Sequence, residues 1–532
     1  MHGAPRDGAS GLPVACAACH GVHDVLPPAD RQSRLHPLNV YRVCGQCHFE
    51  AEVASASSAE ILRETYADDT HAQGILHAGL VVSATCVSCH GGHDIRARGD
   101  PASRVSRTNV QETCGGCHVG VLEQYRESVH ALHAGNGHEG ATCSDCHPPH
   151  SITPASDDFR IATNAACSSC HAERAGTFRK SQHGKLTSLG FRGPVATCSA
   201  CHENHLILPG SDSRSAVHPD NVVETCSRCH ENAHAEFARF EVHADPTDPQ
   251  GDRRLHLAWQ AMRWLLIGVL VLGGLHVLLW LNRAIAAGAL RKRQAHAPSG
   301  RWIRRWPTSF VVFHLWMVIT VLLLASTGLP LHYSDTRWAA RLMQFFGGPV
   351  AAGWVHRVAA ISLVALGAAF VVHLGFRLFV RREPGLFGGA TTMLPRWRDL
   401  ADLVATLRWF LFLGPQPRYD RWTYWEKFDF WAAFWGLFVI GLSGLVLWFP
   451  EAATLFVPGW FINLAVIVHG IEALLDIAFI FTVHAFHANL RPGKFPMDTL
   501  FLTGRLPEEE FKAERPLEYA RALATGGLAA LE

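Results

Sequence analysis

No cysteine lies beyond residue 229, and none of the sixteen stands outside a Cys-x-x-Cys-His unit. No thiol is left for a disulfide framework, so the cysteines serve chemistry and not stapling. Charge of one sign is also missing. Lys+Arg 47 against Asp+Glu 46 gives a net charge of +1, and a chain with no basic field is not built to recruit nucleic acid. Long apolar runs are scarce before residue 245, whereas most Trp and the long Leu/Val/Phe runs come after it. Two unlike regions are therefore joined in one chain.

The eight units are Cys16/Cys19/His20, Cys44/Cys47/His48, Cys86/Cys89/His90, Cys114/Cys117/His118, Cys143/Cys146/His147, Cys167/Cys170/His171, Cys198/Cys201/His202 and Cys226/Cys229/His230. Each reads as an attachment site for a c-type haem. Two thiols add to the two vinyl groups, and the adjacent His lies beneath the iron as proximal ligand. Paired Cys-x-x-Cys can also hold zinc, but zinc does not require a His after every second Cys.

The units recur in pairs, as VACAACHGVHDVLPP…NVYRVCGQCH, ATCVSCHGGHDIRA…NVQETCGGCH, ATCSDCHPPHSITP…NAACSSCH and ATCSACHENHLILPG…NVVETCSRCH. Four two-haem modules follow. The first unit of each continues as CHxxH and supplies His23, His93, His150 and His205. After each second unit an aromatic precedes another His, giving His71, His130, His183 and His243. Eight distal candidates match eight irons. The intervening Gly/Pro/Asp/Ser-rich sequence predicts sparse, mainly short-helical structure. The alternation of CHxxH with aromatic-x-x-x-Ser-x-His segments, over roughly residues 14 to 243, resembles the multihaem cytochromes related to nitrite reductase and hydroxylamine oxidoreductase.

Five apolar segments, near 257–283, 308–331, 351–380, 428–449 and 460–488, each reach the roughly 20 residues that span a bilayer as a helix. The C-terminal region is therefore expected to be an all-α bundle of five transmembrane helices. The loop after the first span carries Arg283, Arg291, Lys292, Arg293, Arg301, Arg304 and Arg305 without an acid, which marks it cytoplasmic. The haem c domain then faces the periplasm or exterior of a multi-pass protein of the bacterial inner membrane. Export needs a leader, and MHGAPRDGASGLPVACAACH shows no basic-then-apolar stretch, so a leader upstream of Met1 is expected. The expected organisation is an octahaem domain at 1–245, a linker and tether helix at 246–285, a four-helix dihaem domain at 286–515 and a cytoplasmic tail at 516–532.

Histidine inside a membrane helix is costly and usually functional. Sorting by depth pairs His314 with His484 toward the cytoplasm and His356 with His469 toward the periplasm, as ligands of two b-type haems. The 15 residues from His469 to His484 cover about 22 Å at 1.5 Å per residue but rotate by about 60°. His487 returns to the face of His469 and stays an alternative to His484. His276 and His373 read as helix-bridging or interfacial, with a third membrane haem left open. Glu472 and Asp476 follow His469 by one and two turns in an otherwise apolar helix. They suit the proton acceptor that quinol oxidation needs, or else a structural role.

The stretches SFVVFHLWMVITVLLLASTGLPL, GWVHRVAAISL, FWGLFVIGLSGLVLWFPE and VHGIEALLDIAFIFTVHAFHANLRPGKFPMD, across about 305–515, resemble the dihaem cytochrome b subunits of formate dehydrogenase and nickel-iron hydrogenase. They are more similar still to the fused c-plus-b menaquinol oxidoreductases of metal-respiring bacteria. This resemblance implies a quinone-reactive cytochrome with His314, His356, His469 and His484 as ligands, although the formate dehydrogenase likeness would put quinone near His484, His487 and Arg491. The expected function is quinol, and by resemblance menaquinol, oxidoreduction through two haem b and eight haem c groups. Its partners would be the membrane quinone pool, a periplasmic cytochrome c or similar redox protein, and further subunits. The alternative is a terminal multihaem reductase or oxidase of a small nitrogen or sulfur compound, which needs an iron with an open position.

Overall fold

A computed structural model describes residues 14–49, 65–135, 140–286, 300–383, 386–491, 494 and 497–525. Arg291, Lys292, Arg293, His138 and the tail from 526 lie outside them. The chain divides into two compact units, Met1–Thr187 with Arg192–Ala233, and Ser188–Phe191 with His234–Glu532. The division falls earlier than residue 245 because the segment after Ala233 packs with the membrane helices. Within the second unit His234 Nε2 lies 3.0 Å from the Glu451 carbonyl, and the amide of Asn463 donates to the Glu241 carbonyl at 2.9 Å.

The first unit consists of short helices. Threonine explains several of their starts: in the Ala-Thr-Cys runs, Thr85 and Thr142 form capping boxes with Ser88 and Asp145, so the helix opens at the first Cys. The loop between the paired units is built the same way in three modules. Ser33, Ser103 and Ser215 donate to the carbonyls of Leu26, Arg96 and Leu208 at 3.0, 3.2 and 3.3 Å. Asn39, Asn109 and Asn221 each bridge two carbonyls at 2.8–3.0 Å. These contacts satisfy backbone groups that no regular element pairs. The third module lacks that Ser/Asn set and forms instead a 14-residue helix, Asp157–Cys170, capped by Ser156.

In the second unit, five helices are long and apolar enough to cross a membrane: Arg253–Ala286, Thr308–His332, Pro349–Val380, Tyr424–Trp448 and Trp460–Leu490. The second packs along the third, and the first and fourth pack along the fifth. The first span is thus a member of the bundle as well as a tether. Its Trp280 sits in a buried cluster with Phe410, Tyr419, Trp425 and Phe486. Large apolar side chains such as Leu272, Val372 and Phe438 point outward, as lipid-facing surfaces do. The expected all-α region also carries a small antiparallel pairing, Trp302–Arg304 with Arg505–Pro507, which seats Ile303, Leu506 and Phe511 under the C-terminal helices. Arg515 to Glu426 at 2.7 Å, Arg421 to Glu518 at 2.6 Å and Arg491 to Glu514 at 2.7 Å tie this end together.

Candidate haem sites

In the first unit the helices that carry the Cys-x-x-Cys-His units contact one another in chain order. Cys16–His20 packs on Val40–His48, that on Cys86–His90, and so through Val110–Gly115, Cys143–Cys146, Asp157–Cys170 and Cys198–His202 to Val222–Ser227. Sequence order is spatial order, so neighbouring attachment sites are adjacent throughout.

The sixteen thiols, which the spacing treats alike as cofactor-binding, are not alike in the structure. Cys47, Cys117, Cys170 and Cys229, the last thiol of every module, are exposed, whereas their partners Cys44, Cys114, Cys167 and Cys226 are half-buried. The reason is where the helix runs out. Cys47 and Cys170 lie in the last turn of Val40–His48 and Asp157–Cys170. Cys117 and Cys229 lie past the ends of Val110–Gly115 and Val222–Ser227, in tight turns whose amides bond the Cys114 and Cys226 carbonyls at 3.2 and 3.1 Å. Cys16 and Cys146 are exposed as well. Attachment at these positions rests on the Cys-x-x-Cys-His spacing and not on burial.

Within the first unit, six of the unit histidines each face a second His. His20 faces His93 with ring centres 6.0 Å apart, His90 faces His150 at 5.9 Å, and His147 faces His205 at 6.3 Å. His118 faces His71 at 6.2 Å, His171 faces His130 at 6.3 Å, and His230 faces His183 at 6.2 Å. An imidazole nitrogen bonds a first-row metal at about 2 Å, which puts two axial rings about 6 Å apart. These separations fit one iron between each pair. The pairing is offset: the CHxxH histidine of one module faces the first unit of the module before it. The histidine after an aromatic faces the second unit of the module after it. His48 and His202 stand at the ends of this scheme. His23 is exposed, and His243 falls in the second unit.

Local electrostatics vary along the series. Asp69 caps the helix Thr70–Leu76 and lies 3.5 Å from His71 Nδ1, which holds that imidazole above the ordinary histidine range. Burial holds His183 below it.

In the second unit His356 and His469 face each other with ring centres 6.4 Å apart. Each is held from behind by a hydroxyl on a neighbouring helix. Thr327 Oγ1 donates to the Leu323 carbonyl at 2.6 Å and so can accept from His356 Nδ1 at 2.9 Å. Ser443 Oγ donates to the Val439 carbonyl at 2.7 Å and stands 3.2 Å from His469 Nδ1. The next residues are glycines for a steric reason. A Cβ at Gly328 would come within 3.3 Å of the His356 ring, and one at Gly444 within 3.2 Å of the His469 ring. With Nδ1 committed, each ring has Nε2 left to bind a metal, as a bis-His haem requires.

His314 and His484 are within electrostatic range of each other, and His484 Nδ1 lies 3.2 Å from Asp429 Oδ2. His314 packs against Trp306 at 5.9 Å, and the buried indole nitrogen of Trp306 has no hydrogen-bond partner among the described residues. An unsatisfied buried donor beside a ligand candidate fits a group with acceptor oxygens, as haem propionates are.

His487 is engaged elsewhere. Its Nδ1 bonds the Val483 carbonyl at 2.8 Å, its Nε2 lies 3.1 Å from His276 Nδ1, and His276 Nε2 lies 2.6 Å from the Tyr424 hydroxyl. The His276 and His487 rings are 4.9 Å apart, too close for an iron between them. The carbonyl fixes the protons: His487 donates to Val483, His276 to His487, and Tyr424 to His276. Two π-helical stretches, Ile480–His484 and Phe486–Leu490, explain why ideal-helix arithmetic misplaces these residues. Wider turns hold more residues, so the rotation from His469 to His484 falls short of about 60°. Sequence reasoning missed Thr327, Ser443 and Asp429. Hydroxyls and glycines facing a membrane His are the signal that could have found the first two.

Residues 305–492 match the family model of prokaryotic cytochrome b561. The N-terminal part is similar to the multiheme cytochrome MtrA of Shewanella baltica (strain OS185), 28% identical over 186 residues, covering 33% of this chain and 48% of that one. The chain thus spans about half the length of that relative. With a haem c region at its N-terminal part and a haem b region among helices able to cross a membrane, this protein is a fused multihaem cytochrome c and cytochrome b, a membrane electron-transfer protein.

Proposed function

We propose that this chain oxidises a membrane quinol, menaquinol by resemblance, and passes the electrons to a soluble redox protein through two haem b and eight haem c groups. The unbroken contact of the eight Cys-x-x-Cys-His helices in chain order is the observation that carries this reading. Bound haem supplies one-electron carriage; the residues supply attachment, axial ligation and insulation. His314 with His484 and His356 with His469 hold the b-type groups. The six facing pairs, with His48, His202, His23 and His243, provide the axial set of the c-type groups. The exposed thiols of Cys47, Cys117, Cys170 and Cys229 would join their haems at an edge turned toward water. The arginines of the first cytoplasmic loop support a periplasmic haem c domain.

A quinol releases two protons with its two electrons, and the protons need acceptors. Glu472 is 1% exposed, and its Oε2 has no hydrogen-bond partner among the described residues. Asp476 lies one turn further on, where a Cβ at Gly436 would come within 2.5 Å of its carboxylate. A buried carboxylate oxygen left without a donor suits the uptake of a proton. The test is a haem-type count on the purified protein, expected at eight c to two b, with menaquinol oxidation in proteoliposomes. A high-spin haem signal that shifts with nitrite or hydroxylamine would put a terminal reductase in its place.

A further inference from the structure

The four membrane histidines differ in what holds the ring nitrogen that faces away from the haem. His356 has a threonine hydroxyl, and His469 a serine hydroxyl with the Ile440 carbonyl at 3.2 Å. His484 has the carboxylate of Asp429 at 3.2 Å. The Asp429 side chain is 16% exposed and makes no ion pair with Lys or Arg among the described residues. Its carboxylate therefore faces the imidazole with no Lys or Arg paired to it among the described residues. The opposite ligand adds no acceptor of its own, since His314 Nδ1 is buried without a hydrogen-bond partner among the described residues.

We propose that Asp429 sets a lower reduction potential at the His314–His484 site than exists at the His356–His469 site, so that an electron shared between them rests at the latter. The proposal builds on the ligand reading above. A carboxylate that accepts the Nδ1 proton gives the imidazole imidazolate character and strengthens Nε2 as a donor. It also places an acidic oxygen 3.2 Å from the ligand ring, where the other site has only neutral groups. Both effects favour the more positive, oxidised iron. Neutral hydroxyl and carbonyl acceptors do the first weakly and the second not at all. Asp429 is thus a positioning residue that acts through His484. On the orientation proposed above, the gradient runs from the cytoplasmic half of the membrane outward.

Redox titration of the b-type absorbance of the purified full-length protein tests this. The wild type should titrate in two b-type steps. Asp429→Asn should raise the lower midpoint by about tenfold in the reduced-to-oxidised ratio, about 59 mV for one electron, and Asp429→Glu should restore it. Thr327→Val should move the higher midpoint alone. Two ligand truncations work even if Asp429→Asn fails to fold: His469→Ala should leave a single b-type step at the lower midpoint, and His484→Ala one at the higher. A lower midpoint that stays put in Asp429→Asn with both haems retained overturns the proposal, as does His469→Ala titrating at the higher value. If His469→Ala and His484→Ala both keep two b-type haems, the ligand reading itself is wrong and the proposal falls with it.

Discussion

Replacing His93 by alanine separates the offset pairing from the simpler arrangement in which each CHxxH histidine serves its own module. His93 faces His20 at 6.0 Å, whereas its neighbour His90 faces His150 at 5.9 Å. Truncation at Cβ removes the imidazole, and a methyl group cannot fill a gap that two rings and two bonds of about 2 Å occupy. The haem at Cys16/Cys19 then has one axial ligand, and about one-eighth of the low-spin c-type signal should become high-spin. Electron paramagnetic resonance of the oxidised protein reads this change, and haem content shows that covalent attachment is intact. Adding Cys16→Ser and Cys19→Ser removes the affected haem and should abolish the new signal. If Cys86→Ser with Cys89→Ser abolishes it instead, the offset is refuted.

Glu472→Gln should slow menaquinol oxidation by about two orders of magnitude, the lower end of what a positioned base contributes, while the haem spectrum stays as it was; unchanged turnover removes Glu472 from proton uptake. His484→Ala should halve the haem b content and His487→Ala should leave it whole, because the His487 ring is bonded to Val483 and His276. A pyridine haemochrome count decides between them. Gly444→Leu should also lower haem b content, since a Cβ there already stands 3.2 Å from the His469 ring and the longer side chain must push that ring off its axis. Full occupancy in that variant would mean that the His469 ring is free to move.

The attachment sites were legible in the sequence because thioether chemistry imposes a fixed spacing, and the spans because lipid imposes a length. That spacing is identical in all eight units, so it gives no sign that Cys47, Cys117 and Cys229 stand exposed where a helix ends. The histidines that face a unit histidine were legible as recurring positions. Their assignment was not, because His93 recurs at the same distance from His90 whichever iron it serves. His484 and His487 could not be ordered along a helix assumed regular, and the π turns that carry them leave no mark in composition. The first span reads as a tether from its position alone. Only packing shows His276 on Tyr424 and His487. Asp429 lies just beyond the Thr423–Glu426 capping box, where an acidic residue near a helix start calls for no explanation.

The offset pairing bears on how such a chain matures and grows. On the ligand reading proposed above, the site at Cys16–His20 would close only once residue 93 had been delivered, and the site at Cys86–His90 only with residue 150. Each new module would thus complete the first site of the module before it, whereas His71, His130 and His183 precede the units they face. The same interlock disciplines evolution. On that reading, cutting out part of a module would strip a ligand from its neighbour, whereas duplicating or deleting a whole repeat would keep every iron in register, so the length of the wire would change in steps of two haems.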